Sequence, residues 1–315
     1  MKFLIWGAGG IGAYYGARLI RAGHEVVLVA RGEHLQALQA TGLNIDHEDF
    51  CFEEPICAVS WAELEQNYCA ADFDAILLTI KANGTAALLQ QAGSWLKAGN
   101  CPVISLQNGV DNEELLAGSL PARRVIGGLA VRIGGHVIAP GKIQARGPAQ
   151  LIIGHWPQGA TEPASPLELL GRTFNEAGIP TRVTTDIRYE LWRKLLINNG
   201  VNPLSALTRL DTQTLTRHAE FGSIVYGLMQ EAARAANAAG VSLGQADIDE
   251  MFELIRTFAA IKTSMLVDLE MGRPLELDAI CGAVVERCRA TGQDAPYTSL
   301  VLALLRQSIN KQGDV

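Results

Sequence analysis

Residues 2–16 read KFLIWGAGGIGAYYG, a short apolar run that leads directly into a glycine-rich turn. The apolar run predicts a buried strand, and the residues after the turn predict an amphipathic helix. Between them, the pattern G-x-G-x-x-G spans Gly7 to Gly12. This pattern binds dinucleotides when it follows a strand and opens a helix, which is the order found in this chain. The stretch therefore predicts a Rossmann-type α/β domain at the start of the chain.

The glycines of this turn have separate physical tasks. Gly7 permits the tight turn, Gly9 lets the backbone approach a pyrophosphate, and Gly12 lets the helix pack closely against the strand. Backbone N–H groups at the start of the helix attract the negative charge of phosphates. We therefore expect six consecutive residues to bind the cofactor: Gly7, Ala8, Gly9, Gly10, Ile11 and Gly12.

A second apolar run, at residues 25–30, is followed by Arg31. In proteins of this fold that bind NAD, an acidic residue near this position holds the ribose 2′-hydroxyl, whereas an arginine suits a 2′-phosphate. Arg31 therefore favours NADP, used as NADPH when the reaction is a reduction. The alternative is an ordinary exposed arginine at a strand end, paired with Glu33.

Two further apolar runs, at residues 74–79 and 101–106, predict buried parallel strands with a helix between them. Lys81 follows the first run and Asn108 lies just beyond the second. Open α/β sheets bind ligands at the carboxyl ends of their strands, so we expect both side chains to contact a ligand. The alternatives are a solvated lysine and a plain turn. Short apolar runs within residues 125–154 predict antiparallel strands that extend the same sheet.

Beyond Asp186 the apolar residues recur with helical spacing and no convincing strand is found. An α/β half followed by an all-α half predicts two domains with a cleft between them. We place the NADP-binding Rossmann-type domain at residues 1–185 and the helical substrate and catalytic domain at residues 186–315.

The helical half begins with a stripe of polar side chains. Lys194, Asn198 and Asn202 are spaced four residues apart among apolar neighbours. At about 100° per residue, they line one face of a helix. An ammonium group and two carboxamides on a largely buried helix, in a chain with a dinucleotide site, indicate an acid catalyst for the reduction of a carbonyl group. The alternative is that Lys194 extends to water and the asparagines cap a helix end near Gly200 and Pro203.

Composition and motif searches exclude several classes of protein. A net charge of −7 argues against nucleic acid as a partner. No apolar stretch of about 18 residues exists, so no membrane span is expected. The six histidines and six cysteines include neither H-E-x-x-H nor C-x-x-C, so we expect no metal site and reduced cysteines. Cleavage of a signal peptide would remove the first strand and the glycine turn, which favours a cytoplasmic location. The sequence leaves open whether the chain forms a homodimer.

Taken in order along the chain, these residues resemble the ketopantoate reductase family. The matching segments are GAGGIG at 7–12, Arg31, TIKA at 79–82, QNG at 107–109, ELWRK at 190–194 with Asn198 and Asn202-Pro203, and Ser264-Met265 with ELD at 276–278. The glycine motif is generic, whereas the ELWRK segment with its two asparagines is highly specific. Members of this family use NADPH to reduce 2-dehydropantoate (ketopantoate) to pantoate for pantothenate and coenzyme A biosynthesis.

The resemblance also implies roles for particular residues. Lys194 would be the general acid that protonates the nascent alkoxide. Glu276, which by its position alone is typical of a helix-capping carboxylate, would bind a substrate hydroxyl. The residues implied to hold the carboxylate and hydroxyl ends of a 2-oxo acid are Asn198, Asn202 and Ser264. The residues implied to contact the nicotinamide, the ribose and the 2′-phosphate are Asn108, Lys81 and Arg31, of which Asn108 would also contact the substrate.

Two departures from the family pattern leave the 2-oxo acid open. Val267 stands where well-studied members tend to have glutamine, and Leu275-Glu276-Leu277-Asp278 stands where they have T-E-I-D. A β-hydroxyacid dehydrogenase is an alternative, because its architecture is similar and it also has an asparagine four residues after a lysine. A non-catalytic NADP-binding sensor is a second alternative, although it needs neither Lys194 nor Glu276.

Overall fold

A computed structural model describes residues 1–157 and 166–312 of the chain. The chain divides into two compact units: unit 1 is Met1–Gln107 with Asn112–Ile187, and unit 2 is Asn108–Asp111 with Arg188–Val315. The sequence-based division at residue 185 is contiguous, whereas in the structure the four residues Asn108–Asp111 belong with the helical unit.

Unit 1 alternates strands with helices for most of its length. Its strands and helices are β1 (Lys2–Trp6), α1 (Gly10–Arg21), β2 (Glu25–Val29), α2 (Gly32–Thr41), β3 (Leu43–Asp46), β4 (Phe52–Glu54), β5 (Cys57–Val59), α3 (Trp61–Asn67), β6 (Ala75–Leu78), α4 (Thr85–Lys97), β7 (Val103–Ser105), α5 (Asn112–Ser119), β8 (Val125–Val131), β9 (Gly134–Ala139), β10 (Lys142–Arg146), β11 (Gln150–His155), α6 (Pro166–Glu176) and β12 (Thr181–Val183).

The main sheet has eight strands in the order β12-β11-β8-β7-β6-β1-β2-β5. The six strands from β8 to β5 are parallel to one another, and β11 runs antiparallel to β8. Strands β2 and β6 lie on opposite sides of β1, so the strand order reverses at the carboxyl end of β1, where the glycine turn begins. Ligands of open α/β sheets bind at such a reversal.

The residues between 125 and 154 do not all extend the main sheet, so that prediction is wrong in part. Strands β8 and β11 do extend it, but β9 and β10 form a second sheet in the order β4-β3-β10-β9. Gly141 has a φ of +75°, a left-handed conformation that suits the tight turn between β9 and β10. Gly135 of β9 lies so close to Gly10 that a Cβ on Gly10 would be 2.1 Å from the Gly135 carbonyl carbon. The absence of side chains at both positions lets the hairpin pack over the start of α1.

The regular secondary structure in the described residues of unit 2 is entirely helical. Its helices are α7 (Ile187–Thr208, whose first residue belongs to unit 1), α8 (Thr212–Arg217), α9 (Ala219–Ala238), α10 (Gln245–Arg256), α11 (Ser264–Glu270), a π-helical turn (Asp278–Gly282), α12 (Ala283–Ala290) and α13 (Pro296–Gln312). The predicted fold class, a Rossmann-type α/β domain followed by an all-α domain, is confirmed. Every helix in the described ranges is too short or too polar to cross a membrane.

A buried carboxylate joins two helices of unit 2. Glu231 of α9 is 1% exposed and accepts hydrogen bonds from the backbone N–H groups of Tyr297 at 2.9 Å and Thr298 at 2.7 Å. These two N–H groups belong to the first turn of α13, where they have no acceptor within the helix. Glu231 therefore caps α13 and places its negative charge at the positive end of the helix dipole.

Candidate active site

The glycine turn of unit 1 is closed toward the protein and open on its other side. A Cβ on Gly7, which has a φ of +119°, would lie 2.8 Å from the backbone nitrogen of Ile80. A Cβ on Gly12 would lie 2.1 Å from the Gly7 carbonyl oxygen, so only glycine allows α1 to pack this closely against the end of β1. A Cβ on Gly9 would meet nothing within 4 Å. The backbone at Gly9 is therefore open to approach, which fits the pyrophosphate of a dinucleotide.

Arg31 and Lys81 follow strands that flank the glycine turn. Both side chains are exposed, and Arg31 is the last residue before α2. The carbonyl oxygen of Val29, at the end of β2, accepts hydrogen bonds from the N–H groups of Gly7 at 3.2 Å and Ala8 at 3.0 Å. These bonds join the strand end that precedes Arg31 to the turn. The structure thus places Arg31, the residue predicted to bind the 2′-phosphate, close to the predicted pyrophosphate site.

A buried polar chain fixes the backbone on both sides of the segment Asn108–Asp111. Gln107 Nε2 donates to Thr85 Oγ1 at 2.8 Å, and Thr85 Oγ1 donates to Asn112 Oδ1 at 2.8 Å. All three side chains are buried in unit 1. Because buried polar groups lose free energy when they have no partner, this chain fixes Gln107 and Asn112 relative to each other within unit 1.

Helix α7 of unit 2 carries the predicted polar stripe on consecutive turns. The helix runs without interruption from Ile187 to Thr208 and includes Pro203. It packs tightly on α9 at Gly200, where a Cβ would lie 2.8 Å from Met229 Cγ. The alternative interpretation, that Asn198 and Asn202 cap a helix end, is therefore wrong. Asn202 is 5% exposed and Asn198 is partly buried.

Three predicted residues from distant parts of the sequence meet in unit 2. Glu276 is 5% exposed, and its Oε2 accepts a hydrogen bond from Asn108 Nδ2 at 3.0 Å. Burial lowers the pKa of Lys194 from 10.5 to about 8, while the negative charge of Glu276 acts in the opposite direction. A lysine with a pKa near 8 remains mostly protonated at neutral pH and releases its proton far more readily than an ordinary lysine. The arrangement therefore combines an ammonium group of lowered pKa with a carboxylate that a carboxamide orients.

Ser264 is placed differently from the other predicted substrate ligands. It is exposed and is the first residue of α11, directly after Thr263, whose side chain caps that helix by accepting the Leu266 N–H at 3.2 Å. Asn108 is hydrogen-bonded to Glu276. In the described part of the chain, Ser264 is hydrogen-bonded to neither of them. Ser264 thus presents a hydroxyl to solvent at a helix start.

Two charged residues near this site were missed by sequence reasoning. Arg287 of α12 donates a hydrogen bond to Asp111, and its guanidinium lies over the ring of Trp192, 5.2 Å from the ring centroid. Gly109, with a φ of +95°, passes so close to Ala279 that a Cβ would lie 3.1 Å from the Ala279 carbonyl oxygen. These contacts hold the segment that carries Asn108 against the helices of unit 2. No local pattern could have paired Arg287 with Asp111, which is 176 residues away.

The neighbouring Arg193 has a different environment from Lys194. Its Nη2 lies 2.6 Å from Glu250 Oε1 of α10, so it forms an ion pair that joins α7 to α10.

Among residues 1–157 and 166–312, no three His, Cys, Asp or Glu side chains cluster in a way that could hold a metal ion.

A doubly wound sheet with an open glycine turn, followed by a helical unit with a lysine beside a buried carboxylate, is typical of nicotinamide-dependent oxidoreductases. The family described as ketopantoate reductase PanE/ApbA matches residues 3–158, and its C-terminal part matches residues 186–309. The chain therefore belongs to the ketopantoate reductase family, as the sequence motifs predicted.

Individual relatives agree with this assignment. The 2-dehydropantoate 2-reductase of Mesorhizobium japonicum is 32% identical, with 99% of both chains covered. The crystal structure of a PanE/ApbA family ketopantoate reductase from Ralstonia eutropha JMP134 has a TM-score of 0.85 and 31% identity, over 99% of this chain and 100% of that one. A D-mandelate dehydrogenase in complex with NADH and anilino(oxo)acetate has a TM-score of 0.90 at 24% identity, over 99% of both chains, which is a likeness of fold.

Proposed function

We propose that this protein is an NADPH-dependent 2-dehydropantoate 2-reductase. The observation that carries the proposal is the meeting of Lys194, Glu276 and Asn108 in unit 2, because a proton donor beside an oriented carboxylate is what carbonyl reduction of a hydroxylated substrate requires. Membership of the ketopantoate reductase family supports the substrate.

When bound, the nicotinamide cofactor would supply the hydride that reduces the carbonyl carbon of the 2-oxo acid. Lys194 donates a proton to the carbonyl oxygen, so the carbonyl becomes a hydroxyl group and the lysine becomes a neutral amine. Its pKa of about 8 suits this task, since the ammonium form is populated at neutral pH and transfers its proton without a large penalty. Solvent then returns a proton to the lysine.

Substrate binding falls to the polar groups around this lysine. Glu276 accepts a hydrogen bond from the terminal hydroxyl of 2-dehydropantoate, and the amide of Asn108 holds the Glu276 carboxylate in place. Asn198 and Asn202, which follow Lys194 on successive turns of α7, and the hydroxyl of Ser264 bind the carboxylate and hydroxyl ends of the substrate.

The phosphate and ribose contacts fall to unit 1, whereas Asn108 belongs to unit 2. The turn from Gly7 to Gly12 binds the pyrophosphate, Lys81 contacts the ribose, and Asn108 contributes near the nicotinamide. Arg31 binds the 2′-phosphate, which favours NADPH over NADH. The exposed position of Arg31 next to the turn supports this preference, because a 2′-phosphate needs an accessible cation at the end of the second strand.

Two other functions remain as alternatives. A reductase of a different 2-oxo acid is favoured by Val267, an apolar side chain one turn after Ser264 in α11. A non-catalytic NADP-binding sensor is disfavoured, because neither Lys194 nor the buried Glu276 has a role in nucleotide binding alone.

The test is the oxidation of NADPH and NADH by the purified protein with a panel of 2-oxo acids. The panel contains 2-dehydropantoate, 3-methyl-2-oxobutanoate, which lacks the terminal hydroxyl, and the aryl acid phenylglyoxylate. We expect the highest kcat/KM with 2-dehydropantoate and NADPH. A higher kcat/KM with another acid would identify a different reductase, and binding of NADPH without turnover of any member would identify a sensor.

A further inference from the structure

His34 of α2 joins the glycine turn to the second sheet. Its Nε2 lies 2.7 Å from the carbonyl oxygen of Ala8, and its Nδ1 lies 3.1 Å from the backbone nitrogen of Gly141. The ring is partly buried, while Gly141 and Ala8 are buried. One side chain thus connects the turn after β1, the first turn of α2 and the turn between β9 and β10.

These two partners determine the protonation of the ring. A carbonyl oxygen can only accept a hydrogen bond and a backbone N–H can only donate one. Nε2 must therefore carry the proton that it donates to Ala8, and Nδ1 must be the unprotonated acceptor of the Gly141 N–H. His34 is consequently held as the neutral tautomer with its proton on Nε2.

The bond to Ala8 completes a pattern in which the carbonyl groups of the turn face protein donors. The Gly7 oxygen accepts from Thr79 Oγ1 at 2.7 Å, and the Gly9 oxygen accepts from the Ala13 N–H at 2.8 Å. With His34 on the Ala8 oxygen, three successive carbonyls are engaged by the protein. A carbonyl pointing out of the turn would repel phosphate oxygens, whereas one that is bonded inward does not.

The orientation of one peptide group links His34 to binding. The Ala8–Gly9 peptide is trans, so its C=O and N–H groups point in opposite directions. By holding the Ala8 oxygen, His34 also sets the direction of the Gly9 N–H. Gly9 is the position at which an added Cβ would meet nothing within 4 Å, so the backbone of this residue is open to approach on that side.

We propose that His34 is a positioning residue for cofactor binding, which aims the Gly9 N–H at the pyrophosphate by orienting the Ala8–Gly9 peptide. This inference rests on the proposed function, because it requires that the turn binds a dinucleotide. It assigns His34 no contact with the cofactor. Removal of the imidazole frees the peptide to rotate. Part of the free energy of cofactor binding is then used to fix an orientation that the wild-type protein already has.

His47 provides a matched control for this role. Its Nε2 lies 2.8 Å from the Gly147 carbonyl oxygen, and its Nδ1 accepts the Asp49 N–H at 3.1 Å. The bonding pattern is the same as that of His34, and His47 is 3% exposed, but its partners lie outside the glycine turn. If the imidazole only stabilises the fold, His47→Ala should therefore destabilise the protein at least as much as His34→Ala.

The experiment measures Kd for NADPH, without substrate, by the change in NADPH fluorescence, together with Tm for each variant. We expect His34→Ala to raise this Kd about tenfold, the effect of one lost hydrogen bond that organises a site. His34→Gln, which offers both a donor and an acceptor, should restore most of the affinity. His47→Ala should lower Tm and leave Kd unchanged. The Kd of adenosine 2′-phosphate, which has no pyrophosphate, should be the same in His34→Ala and wild type.

The outcomes separate this inference from the proposed function. Failure of the wild-type protein to bind NADPH or NADH contradicts the proposed function itself. Binding by wild type with equal Kd values in His34→Ala and His47→Ala contradicts the role of His34, as does an equal loss of affinity for adenosine 2′-phosphate. If His34→Ala does not fold, His34→Leu replaces it, because leucine keeps the volume of the ring without its nitrogen atoms, and the same outcomes apply.

Discussion

The Asn108 carboxamide donates a hydrogen bond to the Glu276 carboxylate at 3.0 Å, although 168 residues separate the two in the chain. Glu276 is buried, and a buried carboxylate that accepts an amide N–H is held in one rotamer. The same carboxylate acts on the pKa of Lys194. The hydrogen bond therefore orients a charged group that bears directly on the proposed proton donor.

Glu276→Gln should weaken selection for the terminal hydroxyl of 2-dehydropantoate. We expect kcat/KM for 2-dehydropantoate to fall about ten- to 100-fold, with a smaller fall for 3-methyl-2-oxobutanoate, because only the first substrate has the hydroxyl that the carboxylate binds. Steady-state kinetics with both acids measure the difference. Glu253→Gln, an exposed change in α10, is the control. Equal losses for the two substrates would return Glu276 to a structural role.

Lys194→Ala should lower kcat about 10²- to 10⁴-fold, the usual contribution of general acid catalysis. The Kd for NADPH should stay close to the wild-type value, because the lysine belongs to unit 2 and the proposed phosphate contacts belong to unit 1. Single-turnover kinetics and fluorescence titration separate the two quantities. The exposed Lys97→Ala serves as the control. An unchanged kcat in Lys194→Ala would rule out the lysine as the acid.

The pH dependence of the reduction should follow Lys194. Its pKa lies at about 8 rather than 10.5, so the proton needed for reduction is lost as pH rises past 8. Above that pH we expect kcat to fall about tenfold per pH unit if proton transfer limits the rate. A profile of kcat from pH 6 to 10, under saturating substrate and cofactor, measures this limb. A chemical step whose rate, measured by single-turnover kinetics, stays constant to pH 10 contradicts the assignment.

The same pKa has a consequence for stability. Because the folded pKa lies below the unfolded value, the unfolded state binds more protons between pH 8 and 10.5, so the free energy of unfolding rises with pH across that range. Below pH 8 the ammonium group is charged in both states, and the cost of burying that charge lowers the free energy of unfolding by its full amount. Lys194→Met should therefore raise Tm at pH 7 relative to wild type, with a smaller gain at pH 10, as differential scanning calorimetry would measure. A lower Tm at pH 7 would show that the lysine stabilises the fold.

Arg31→Ala should remove most of the preference for NADPH. A charge-assisted contact contributes roughly 1.5 to 3 kcal/mol, so we expect the Kd for NADPH to rise about ten- to 150-fold. The Kd for NADH is the internal control and should change little, since NADH has no 2′-phosphate. A wild-type protein that binds both cofactors equally would contradict the assignment of Arg31.

Glu231→Ala should destabilise the helical unit. The change removes the acceptor of two N–H groups in the first turn of α13 and leaves a cavity at a site that is 1% exposed. Loss of such a cap from the protein interior costs about 2 to 4 kcal/mol in the free energy of unfolding. Urea denaturation measures the loss. Glu231→Gln, which keeps one acceptor oxygen, should lose less, and an equal loss in both variants would show that charge is the dominant effect.

The features that the sequence determined by itself depend on residues close together in the chain. The glycine spacing from Gly7 to Gly12 identified the turn after β1, and the apolar runs identified the parallel strands β2, β6 and β7. The spacing of Lys194, Asn198 and Asn202 identified one face of α7. These features follow from steric limits and hydrophobic periodicity over a few residues, which act wherever the segment is placed.

The tertiary structure alone decided how distant segments combine. Glu276 has the local pattern of a capping residue, and only the packing of unit 2 places it against Asn108 and near Lys194. Strands β9 and β10 have the apolar pattern of the main sheet, but the close approach of Gly10 and Gly135 seats them in a second sheet over α1. Such pairings depend on which surfaces pack with the least strain and the fewest unpaired polar groups, and those quantities are set by the whole fold.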